Sequence, residues 1–355
     1  MPVSVLVVDD SSAVRALLTR LLQSDSELKV CGTAADGESA LMMAQNQKPD
    51  VIALDLNMPG LNGFEVTRKI MEVSPVPIVI VTTDEKSTAN PFALLEAGAV
   101  AVLTKPGPPG HPHHKENTST LIQTIKALKG TDPRFSKKDV TRRKPLAPPP
   151  DAKVSVVAIG ASTGGPQILK NIIQSLPDDY PIPLMITQHM ANGFSGSFVK
   201  WLNTDSHVRV VIAEENMKIR PGFVFVAPDD KHMGLTADLT IALSDSGREY
   251  GMRPAISYMF RSLERTVGKH CMAVLLTGMG KDGAAEMGAL RQQGAMTIAQ
   301  DRASSLIHGM AGEAIACGAA LEVLPPEQII IRLLSLDTRT TRKTMQRIDL
   351  LRPQK

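Results

Sequence analysis

The sequence predicts an α/β protein built from two halves, each a mostly parallel, doubly wound sheet with helices on both faces. Short apolar runs alternate with amphipathic, helix-like stretches along most of the 355 residues, which is typical of repeated βα units. The alternation stops at 131–153, where basic residues and prolines form a segment that cannot bury a core. We therefore expect domains at 1–130 and 154–345, joined by a linker at 131–153 that serves as a solvated tether or docks on an acidic surface.

Five short apolar runs in the first half predict five strands. They lie at 4–8, 28–33, 51–54, 78–81 and 101–103. Helical patterns lie at 12–22, 37–45, 63–72, 90–97 and 118–128. Because a helix separates each strand from the next, we expect parallel strands with crossover connections.

The second half continues the same rhythm with more strands. Apolar runs predict strands at 154–159, 184–187, 208–212, 223–227, 239–243, 273–277 and 296–299. Helical patterns lie at 165–175, 195–203, 256–266, 283–293 and 326–336. A turn-rich segment without a helical pattern separates 223–227 from 239–243, so we expect these two strands to pair as a hairpin.

The bulk composition argues against several classes of protein. A net charge of +3 and an aromatic content of 3% do not suit a nucleic-acid binder. The three cysteines, Cys31, Cys271 and Cys317, are widely spaced, which favours free thiols in a reducing compartment over a disulfide framework. The N-terminus lacks a signal-peptide pattern, and no apolar run reaches the roughly 18 residues that span a membrane. These features predict a cytoplasmic protein without membrane insertion.

Acidic residues follow two apolar runs of the first half, Asp9 and Asp10 after the first run and Asp55 after the third. The carboxyl ends of parallel strands share one edge of a sheet, where ligands bind. Three carboxylates gathered there repel one another, and Mg²⁺ suits such a group. Thr82 and Lys105 follow the fourth and fifth runs at the same edge. A hydroxyl, an ammonium and Mg²⁺ around a carboxylate predict a site for a transferred phosphoryl group.

Residues 1–128 closely resemble the receiver domain of bacterial response regulators, which has a flavodoxin-like (βα)5 fold. The motifs that carry the resemblance are VVDDS, ALDLNMPGLNG, VTT and TKP. The resemblance implies that Asp55 is the phosphoacceptor and that Asp9 and Asp10 help it to hold Mg²⁺. It also implies that Thr82 hydrogen-bonds the phosphoryl group, that Lys105 pairs with it, and that a histidine kinase is the phosphodonor.

One segment departs from the receiver pattern. The stretch GPPGHPHHKEN at 107–117 is longer and richer in proline than a typical receiver loop at this place. Its histidines, His111, His113 and His114, could bind a metal, but a proline-rich loop does not preorganise ligands. We expect a plain loop there, without a metal.

In the second half, the stretch GASTGG at 160–165 lies between a predicted strand and a predicted helix. It is not a phosphate-binding P-loop, because proline and glutamine stand where that motif needs lysine and a hydroxyl. It is not the dinucleotide motif G-x-G-x-x-G, because Ser162 occupies the second glycine position. It does fit G-x-S-x-G, a turn that exposes a nucleophilic serine. The alternative interpretation is that Ser162 caps the following helix.

A nucleophilic serine needs a base, and the base needs an orienting carboxylate. His189 closes the run LMITQH and is expected at the same sheet edge as Ser162. Asp282 follows the strand at 273–277, and Asp301 follows the strand at 296–299, so both are candidates for the carboxylate. The glycine-rich segment at 278–280 could supply backbone N–H groups to an oxyanion.

The second half resembles the catalytic domain of the CheB family of chemoreceptor glutamate methylesterases. The motifs that carry the resemblance are GASTGG, ITQHM, FVAPDDKHMGL, LLTGMGKDGAAEM and AQDRASS. It implies that Ser162 is the nucleophile, His189 the general base and Asp282 its orienting partner. It also implies that the Met279 N–H is an oxyanion donor and that Asp301 is structural. Ala311 stands where the family commonly has proline, which leaves the shape of the nearby groove open.

Together the two resemblances imply a phosphorylation-activated serine hydrolase. Its expected substrates are glutamate methyl esters, and glutamine amides, on the cytoplasmic helices of chemoreceptors. The expected phosphodonor is the kinase of the chemosensory array, the only expected metal is Mg²⁺ in the receiver, and the protein is expected to be a monomer. Alternatives are a transcription factor, which would need a helix-turn-helix output that this strand-rich half does not offer, and a non-catalytic docking protein. A further alternative is the same enzyme in a chemosensory pathway that does not steer flagella.

Overall fold

The computed structural model describes residues 1–82, 91–133 and 153–336. Among these, residues 1–133 and 190–201 group into one compact unit, and residues 153–189 and 202–336 into another. Most of the predicted linker at 131–153 lies outside the described residues, and the predicted domain boundaries stay predictions. No helix of the described residues is long and apolar enough to cross a membrane.

The first unit contains a five-stranded parallel sheet in the order β2-β1-β3-β4-β5. Its strands are β1 (Val3–Val8), β2 (Leu28–Ala34), β3 (Val51–Leu54), β4 (Ile78–Thr82) and β5 (Ala101–Thr104). Its helices are α1 (Ser12–Gln23), α2 (Gly37–Gln47), α3 (Gly63–Val73), α4 (Ala93–Ala97) and α5 (His114–Ala127). This is the flavodoxin-like order, so the predicted receiver fold is confirmed.

Helices α1, α2 and α3 begin where the sequence supplies polar caps. Ser11 accepts a hydrogen bond from the N–H of Val14 at the start of α1, and Asp36 caps α2 in the same way. Asn62 forms a reciprocal capping box with Glu65 at the start of α3. Helix α5 starts four residues earlier than the predicted 118, because its first turn is polar and shows no apolar periodicity. The predicted helix at 90–97 is observed as the shorter α4, and residue 90 lies outside the described residues.

The second unit contains a seven-stranded parallel sheet in the order β14-β13-β12-β6-β7-β9-β8. Its strands are β6 (Val156–Ala161), β7 (Leu184–Gln188), β8 (Arg209–Ile212), β9 (Phe223–Val226), β12 (Cys271–Leu275), β13 (Met296–Gln300) and β14 (Glu322–Leu324). The helices introduced after α5 are α6 (Gly165–Ser175), α7 (Ser195–Leu202), α8 (Ile256–Thr266), α9 (Ala284–Gln292), α10 (Met310–Ala316) and α11 (Pro326–Ser335). The predicted doubly wound α/β fold is confirmed.

The predicted hairpin between 223–227 and 239–243 is wrong in one partner. The run at 223–227 forms β9, which is parallel to β7 and β8 inside the main sheet. The hairpin joins β10 (His232–Leu235) to β11 (Ile241–Ser244) as a separate antiparallel pair. The sequence hid β10, because the short stretch HMGL contains histidine and glycine and shows no alternation.

Two other elements escaped sequence prediction for related reasons. Strand β14 is a three-residue edge strand, and α10 is a short helix rich in alanine with a glycine in it. Neither has the length or the apolar periodicity that reveals longer elements. Both lie after β13, so the chain that follows Asp301 is more ordered than the sequence suggested.

Strand β6 lies at the centre of this sheet, between β7 and β12. The chain leaves β6 towards β7 and later returns to its other side through β12, so the direction of winding reverses at β6. Every residue of β6, β7 and β12 is buried, as expected for central strands covered by helices on both faces. Ligand sites of open α/β sheets form in the crevice at such a reversal, beyond the carboxyl ends of the strands.

Candidate active site

The three residues predicted as a catalytic triad follow three adjacent central strands. Ser162 follows β6, His189 follows β7, and Asp282 lies beyond β12. The backbone N–H of His189 donates to the C=O of Ala161 at 2.9 Å, so Ser162 and His189 start from neighbouring positions at one end of the sheet. The candidate site therefore lies at the reversal of winding, where the topology predicts a crevice.

Ser162 is held by its backbone and not by a capping role. Its N–H donates to the C=O of Thr277 at 3.1 Å. Its C=O accepts from the Gln188 side-chain Nε2 at 3.0 Å and from the N–H of Gly165 at 2.8 Å. The N-cap of α6 is Gly164, whose φ of +82° requires a glycine, and no side chain caps that helix. The interpretation of Ser162 as a helix cap is therefore not what the structure shows.

His189 and Asp282 form a buried pair. The His189 Nε2 lies 2.9 Å from the Asp282 Oδ2, and the two side chains are 5% and 3% exposed. An ionised carboxylate can only accept hydrogen bonds, so we assign the ring proton of His189 to Nε2. In this tautomer Nδ1 carries a lone pair that can accept a proton. The pair has the geometry of a base oriented by a carboxylate.

The Asp282 carboxylate is also held by the start of helix α8. The backbone N–H of Ile256 donates to Oδ2 and that of Ser257 donates to Oδ1, each at 2.8 Å. The N-terminus of a helix favours negative charge, so the helix supports the ionised carboxylate. Burial by itself raises the pKa of Asp282, but the His189 side chain and the hydrogen bonds from Ser257 outweigh it and hold the pKa below the usual carboxyl value. Asp282 is therefore ionised throughout the neutral pH range.

A further polar layer behind Asp282 was not found from the sequence. The Ser257 hydroxyl donates to Glu286 Oε2 at 2.7 Å and accepts the N–H of Gly283 at 2.9 Å. Arg261 Nη1 donates to the other oxygen of Glu286 at 3.2 Å. The only signal was a serine at the start of a predicted helix, which a capping role explains equally well. This layer fixes the turn that carries Asp282.

The predicted oxyanion donor lies on a turn that closely approaches Ser162. The N–H of Gly278 donates to Ile307 C=O at 2.9 Å, and its C=O accepts from the N–H groups of Gly309 and Met310, both at 3.0 Å. A Cβ added to Gly278 would lie 2.6 Å from the Cβ of Ser162, so only glycine allows this approach. Among the described residues, the N–H of Met279 has no hydrogen-bond acceptor, which leaves this donor available to an oxyanion.

Asp301, the competing carboxylate, lies one strand further from Ser162. It follows β13, which is separated from β6 by β12. Its Oδ1 accepts from the backbone N–H of Ser304 at 3.0 Å and from the Ser304 hydroxyl. These bonds shape the loop after β13, while the carboxylate beside His189 is that of Asp282.

The acidic residues of the first unit also meet at one sheet edge. The carboxylates of Asp9, Asp10 and Asp55 offer ligand atoms within 4.8 Å of one another. Lys105 Nζ lies 2.6 Å from Asp9 Oδ2 and 2.9 Å from Asp55 Oδ2. Thr82 is buried at the end of β4 and accepts the N–H of Lys105 through its C=O at 2.9 Å. All five predicted residues are thus brought to one place.

The electrostatics of this cluster suit a divalent cation. Burial raises the pKa of Asp55, the Asp9 charge adds to that rise, and the bonds to Lys105 only partly oppose it. A raised carboxyl pKa means that stability decreases as the pH rises from the unfolded pKa through the folded pKa, because ionised Asp55 is disfavoured. Asp9 Oδ2 is buried and makes no hydrogen bond beyond its ion pair with Lys105. The donor set fits Mg²⁺, which prefers a few carboxylates and water.

The histidine-rich segment after β5 takes part in neither cluster. His114 opens helix α5 and its Nδ1 is bonded to the C=O of Gly107, while the rings of His111 and His113 lie 6.0 Å apart. The metal-competent group found among the described residues is that of Asp9, Asp10 and Asp55. The bond between His114 and Gly107 closes the loop onto the start of the helix.

Comparisons with known proteins give the same two parts. The family model for CheB methylesterase matches residues 157–333, and the model for the response regulator receiver domain matches residues 5–114. The chain is 45% identical, over 94% of its length and 99% of the relative's, to protein-glutamate methylesterase/protein-glutamine glutaminase 4 of Geobacter metallireducens. It is 42% identical, over 94% of its length and 97% of the relative's, to protein-glutamate methylesterase/protein-glutamine glutaminase of Nitrosospira multiformis. The solved CheB methylesterase catalytic domain of Thermotoga maritima is 36% identical, with a TM-score of 0.51, covering 52% of this chain and 100% of that one.

The close approach of Gly278 to Ser162 leads to a testable expectation. Gly278→Ala would place a methyl group 2.6 Å from the Ser162 Cβ and 2.3 Å from the Met310 Cε. We expect Ser162 to shift and its modification by phenylmethylsulfonyl fluoride to slow by roughly 10- to 100-fold, measured by mass spectrometry. Gly247→Ala, where the added Cβ meets nothing within 4 Å, is the control. Equal rates in both variants would show that the Gly278 turn does not position the serine.

Proposed function

The chain belongs to the CheB methylesterase family, and on that premise we propose that Ser162, His189 and Asp282 make it a protein-glutamate methylesterase controlled by its receiver domain. The observation that carries this proposal is the buried pair of His189 and Asp282, joined at 2.9 Å, beside the strand that presents Ser162. The family match and the names of the relatives support the substrate, a γ-glutamyl methyl ester on a chemoreceptor.

The first half-reaction is an acyl transfer to the serine. The Ser162 Oγ attacks the ester carbonyl while its proton passes to Nδ1 of His189. The resulting imidazolium is stabilised by Asp282, which its helix contacts keep ionised. The tetrahedral oxyanion accepts the N–H of Met279. When it collapses, the bond to the methoxy group breaks, His189 returns the proton, and methanol leaves a glutamyl-Ser162 ester.

The second half-reaction repeats these roles with water. His189 takes a proton from a water molecule, which attacks the glutamyl-enzyme carbonyl and forms a second oxyanion. Collapse expels the Ser162 oxygen, which recovers its proton from His189, and the receptor keeps a glutamate carboxylate. A glutamine side chain offers a carbonyl in the same position with ammonia as leaving group, which supports the glutaminase activity named for the relatives.

Phosphorylation of the receiver domain is the proposed control. Asp55 is the phosphoacceptor, Lys105 pairs with the transferred group, and Thr82 donates a hydrogen bond to it. Asp9, Asp10 and Asp55 would hold Mg²⁺, which would supply positive charge to neutralise the transferring phosphoryl group. We propose that the unphosphorylated receiver restricts access to the catalytic site and that phosphorylation shifts the population towards open states.

The partners follow from this chemistry. The proposed substrates are cytoplasmic helices of methyl-accepting chemoreceptors, and the proposed phosphodonor is the histidine kinase of the same chemosensory array. We propose a monomeric, cytoplasmic enzyme that acts on the membrane-embedded receptor without inserting into the membrane or binding nucleic acid. The net charge of +3 and the scarcity of aromatic residues support the last point.

Replacing the nucleophile tests the hydrolase function itself. Ser162→Ala removes the attacking oxygen, so methanol release from methyl-labelled receptor membranes is expected to fall by about 10⁴-fold or more. The wild-type chain on the same membranes is the reference. Substantial turnover in the variant would exclude Ser162 as the nucleophile, and no turnover in the wild type would exclude the substrate.

The assignment of the carboxylate is tested by a matched pair of variants. Asp282→Asn removes the charge that orients His189 and stabilises its imidazolium, so kcat is expected to fall roughly 10³- to 10⁴-fold. Asp301→Asn, made at the end of the next strand β13, is expected to cost less than about tenfold, because that carboxylate is hydrogen-bonded to the loop residue Ser304 while the carboxylate beside His189 is that of Asp282. Methanol release measures both. The opposite order of effects would reassign the triad.

The control by the receiver is tested at the phosphoacceptor. Asp55→Asn cannot form an acyl phosphate, so kinase and ATP with Mg²⁺ are expected to stimulate methanol release by the wild type and not by the variant. Removing Mg²⁺ with EDTA is expected to abolish stimulation of the wild type. Residues 153–355 expressed alone are expected to be active without a phosphodonor; an inactive fragment would argue against a restricting receiver.

A further inference from the structure

Thr277, just beyond strand β12, lies at the meeting point of three segments that the catalytic chemistry uses. These are the nucleophile turn (160–164), the oxyanion turn (278–280) and the flanking loop (301–309). We propose that the Thr277 hydroxyl is a positioning group that holds the three segments in register, so that Ser162 and the N–H of Met279 face the same substrate carbonyl. The proposal rests on the hydrolase function proposed above and assigns Thr277 no contact with the substrate.

The hydroxyl of Thr277 is fully buried and has three polar neighbours. The N–H of Ile307 donates to Oγ1 at 3.0 Å. The C=O groups of Thr163 and Ile307 lie 3.1 Å and 3.0 Å from the same oxygen. A hydroxyl has one proton and two lone pairs, so it accepts from Ile307 N–H and donates to one of the two carbonyls at a time. One oxygen therefore ties the nucleophile turn to the flanking loop.

The backbone of Thr277 is fixed on both sides. Its C=O accepts the N–H of Ser162 at 3.1 Å, which ties it directly to the nucleophile. Its N–H donates to Oε1 of the fully buried Gln300 at 2.7 Å. Gln300 in turn donates through Nε2 to the C=O of Ser304 at 2.7 Å, so the start of the flanking loop is anchored to the same residue.

The oxyanion turn depends on the loop that Thr277 holds. Gly278 donates to Ile307 C=O and accepts from Gly309 and Met310, so its peptide groups are bonded to the flanking loop on both sides. Ile307 is itself held at its N–H by the Thr277 hydroxyl, and at its C=O when the hydroxyl proton points to it instead of to Thr163. A displacement of Ile307 would therefore move Gly278 and, with it, the N–H of Met279.

Valine has the shape of threonine without the hydroxyl, so Thr277→Val isolates the hydrogen bonds. It would leave the Ile307 N–H without its acceptor and remove a donor from Thr163 C=O, in a site that water does not reach. A misplacement of about 1 Å in a catalytic site costs on the order of 100-fold in rate. Because substrate binding does not use Thr277, we expect the loss in kcat, with KM within about threefold of the wild-type value.

The experiment compares full-length wild type with Thr277→Val, Thr277→Ser and Thr297→Val. Thr297 on β13 is an equally buried threonine whose Oγ1 accepts the N–H of Leu321 at 3.0 Å, at the opposite end of the strand from the site. Methanol release from methyl-labelled receptor membranes gives kcat and KM. The rate at which phenylmethylsulfonyl fluoride modifies Ser162 gives the nucleophile's reactivity without a receptor, and thermal unfolding gives stability.

For Thr277→Val the proposal expects a kcat that is roughly 10- to 100-fold lower than that of the wild type, and slower modification of Ser162. Thr277→Ser is expected to keep most of the activity, and Thr297→Val is expected to keep all of it. Equal kcat in Thr277→Val and wild type overturns it, and so does a parallel loss in Thr297→Val, which would mean a general packing effect. If Thr277→Val does not fold, Thr277→Cys is compared with Thr277→Ser, because a thiol is a weaker hydrogen-bond donor and acceptor than a hydroxyl. Equal kcat values in these two variants would overturn the proposal. Wild type that is modified at Ser162 but releases no methanol would refute the proposed substrate and leave this test readable through the modification rates.

Discussion

The candidate active site depends above all on the burial of one ionised carboxylate. Asp282 lies almost without solvent, and an unpaired charge in such a place would be strongly disfavoured. Three donors make it tolerable: the imidazole of His189 and the first two N–H groups of helix α8. The helix contacts fix the carboxylate and the carboxylate in turn orients the imidazole, so the charge is stabilised by the same contacts that fix the position of the His189 ring.

Both units place their chemistry at the carboxyl ends of parallel strands, but they use opposite electrostatics. In the second unit a carboxylate is kept ionised by donors that the fold supplies, and the pKa of Asp282 lies below its usual value. In the first unit two buried carboxylates share one lysine, and the pKa of Asp55 is raised mainly by burial. The carboxylate of the second unit is stabilised entirely by groups of the protein, while the cluster of the first unit is suited to the reversible binding of a cation and a phosphoryl group.

Much of this could be predicted from the sequence. The apolar runs identified the central strands of both sheets because buried parallel strands are apolar on both faces, and the residues that follow β1, β3, β4, β5, β6 and β7 could be placed at sheet edges from chain order alone. Strands β10 and β14 and helix α10 escaped, because each is too short to show a period. The pairing of 223–227 with 239–243 was wrong, since hairpin pairing was inferred from chain proximity while the apolar character of β9 suited the centre of a sheet.

The sequence by itself determined the residue types and their strand ends, and through its motifs the family. The residue pattern alone left Ser162 open between a nucleophile and a helix cap and left Asp282 and Asp301 as rival carboxylates, and the family resemblance then implied Ser162 and Asp282. Only the tertiary structure shows that Asp282 is the carboxylate beside His189 and that no side chain caps helix α6, because these points depend on which strands are neighbours and on the conformation of the turn. The order β13-β12-β6-β7 brings Asp282 to His189 and leaves Asp301 one strand away. Only the tertiary structure shows the buried layer of Ser257 and Glu286 and the contacts of the Thr277 hydroxyl. These hydrogen bonds join segments that are far apart in the chain, so they leave no local pattern in the sequence.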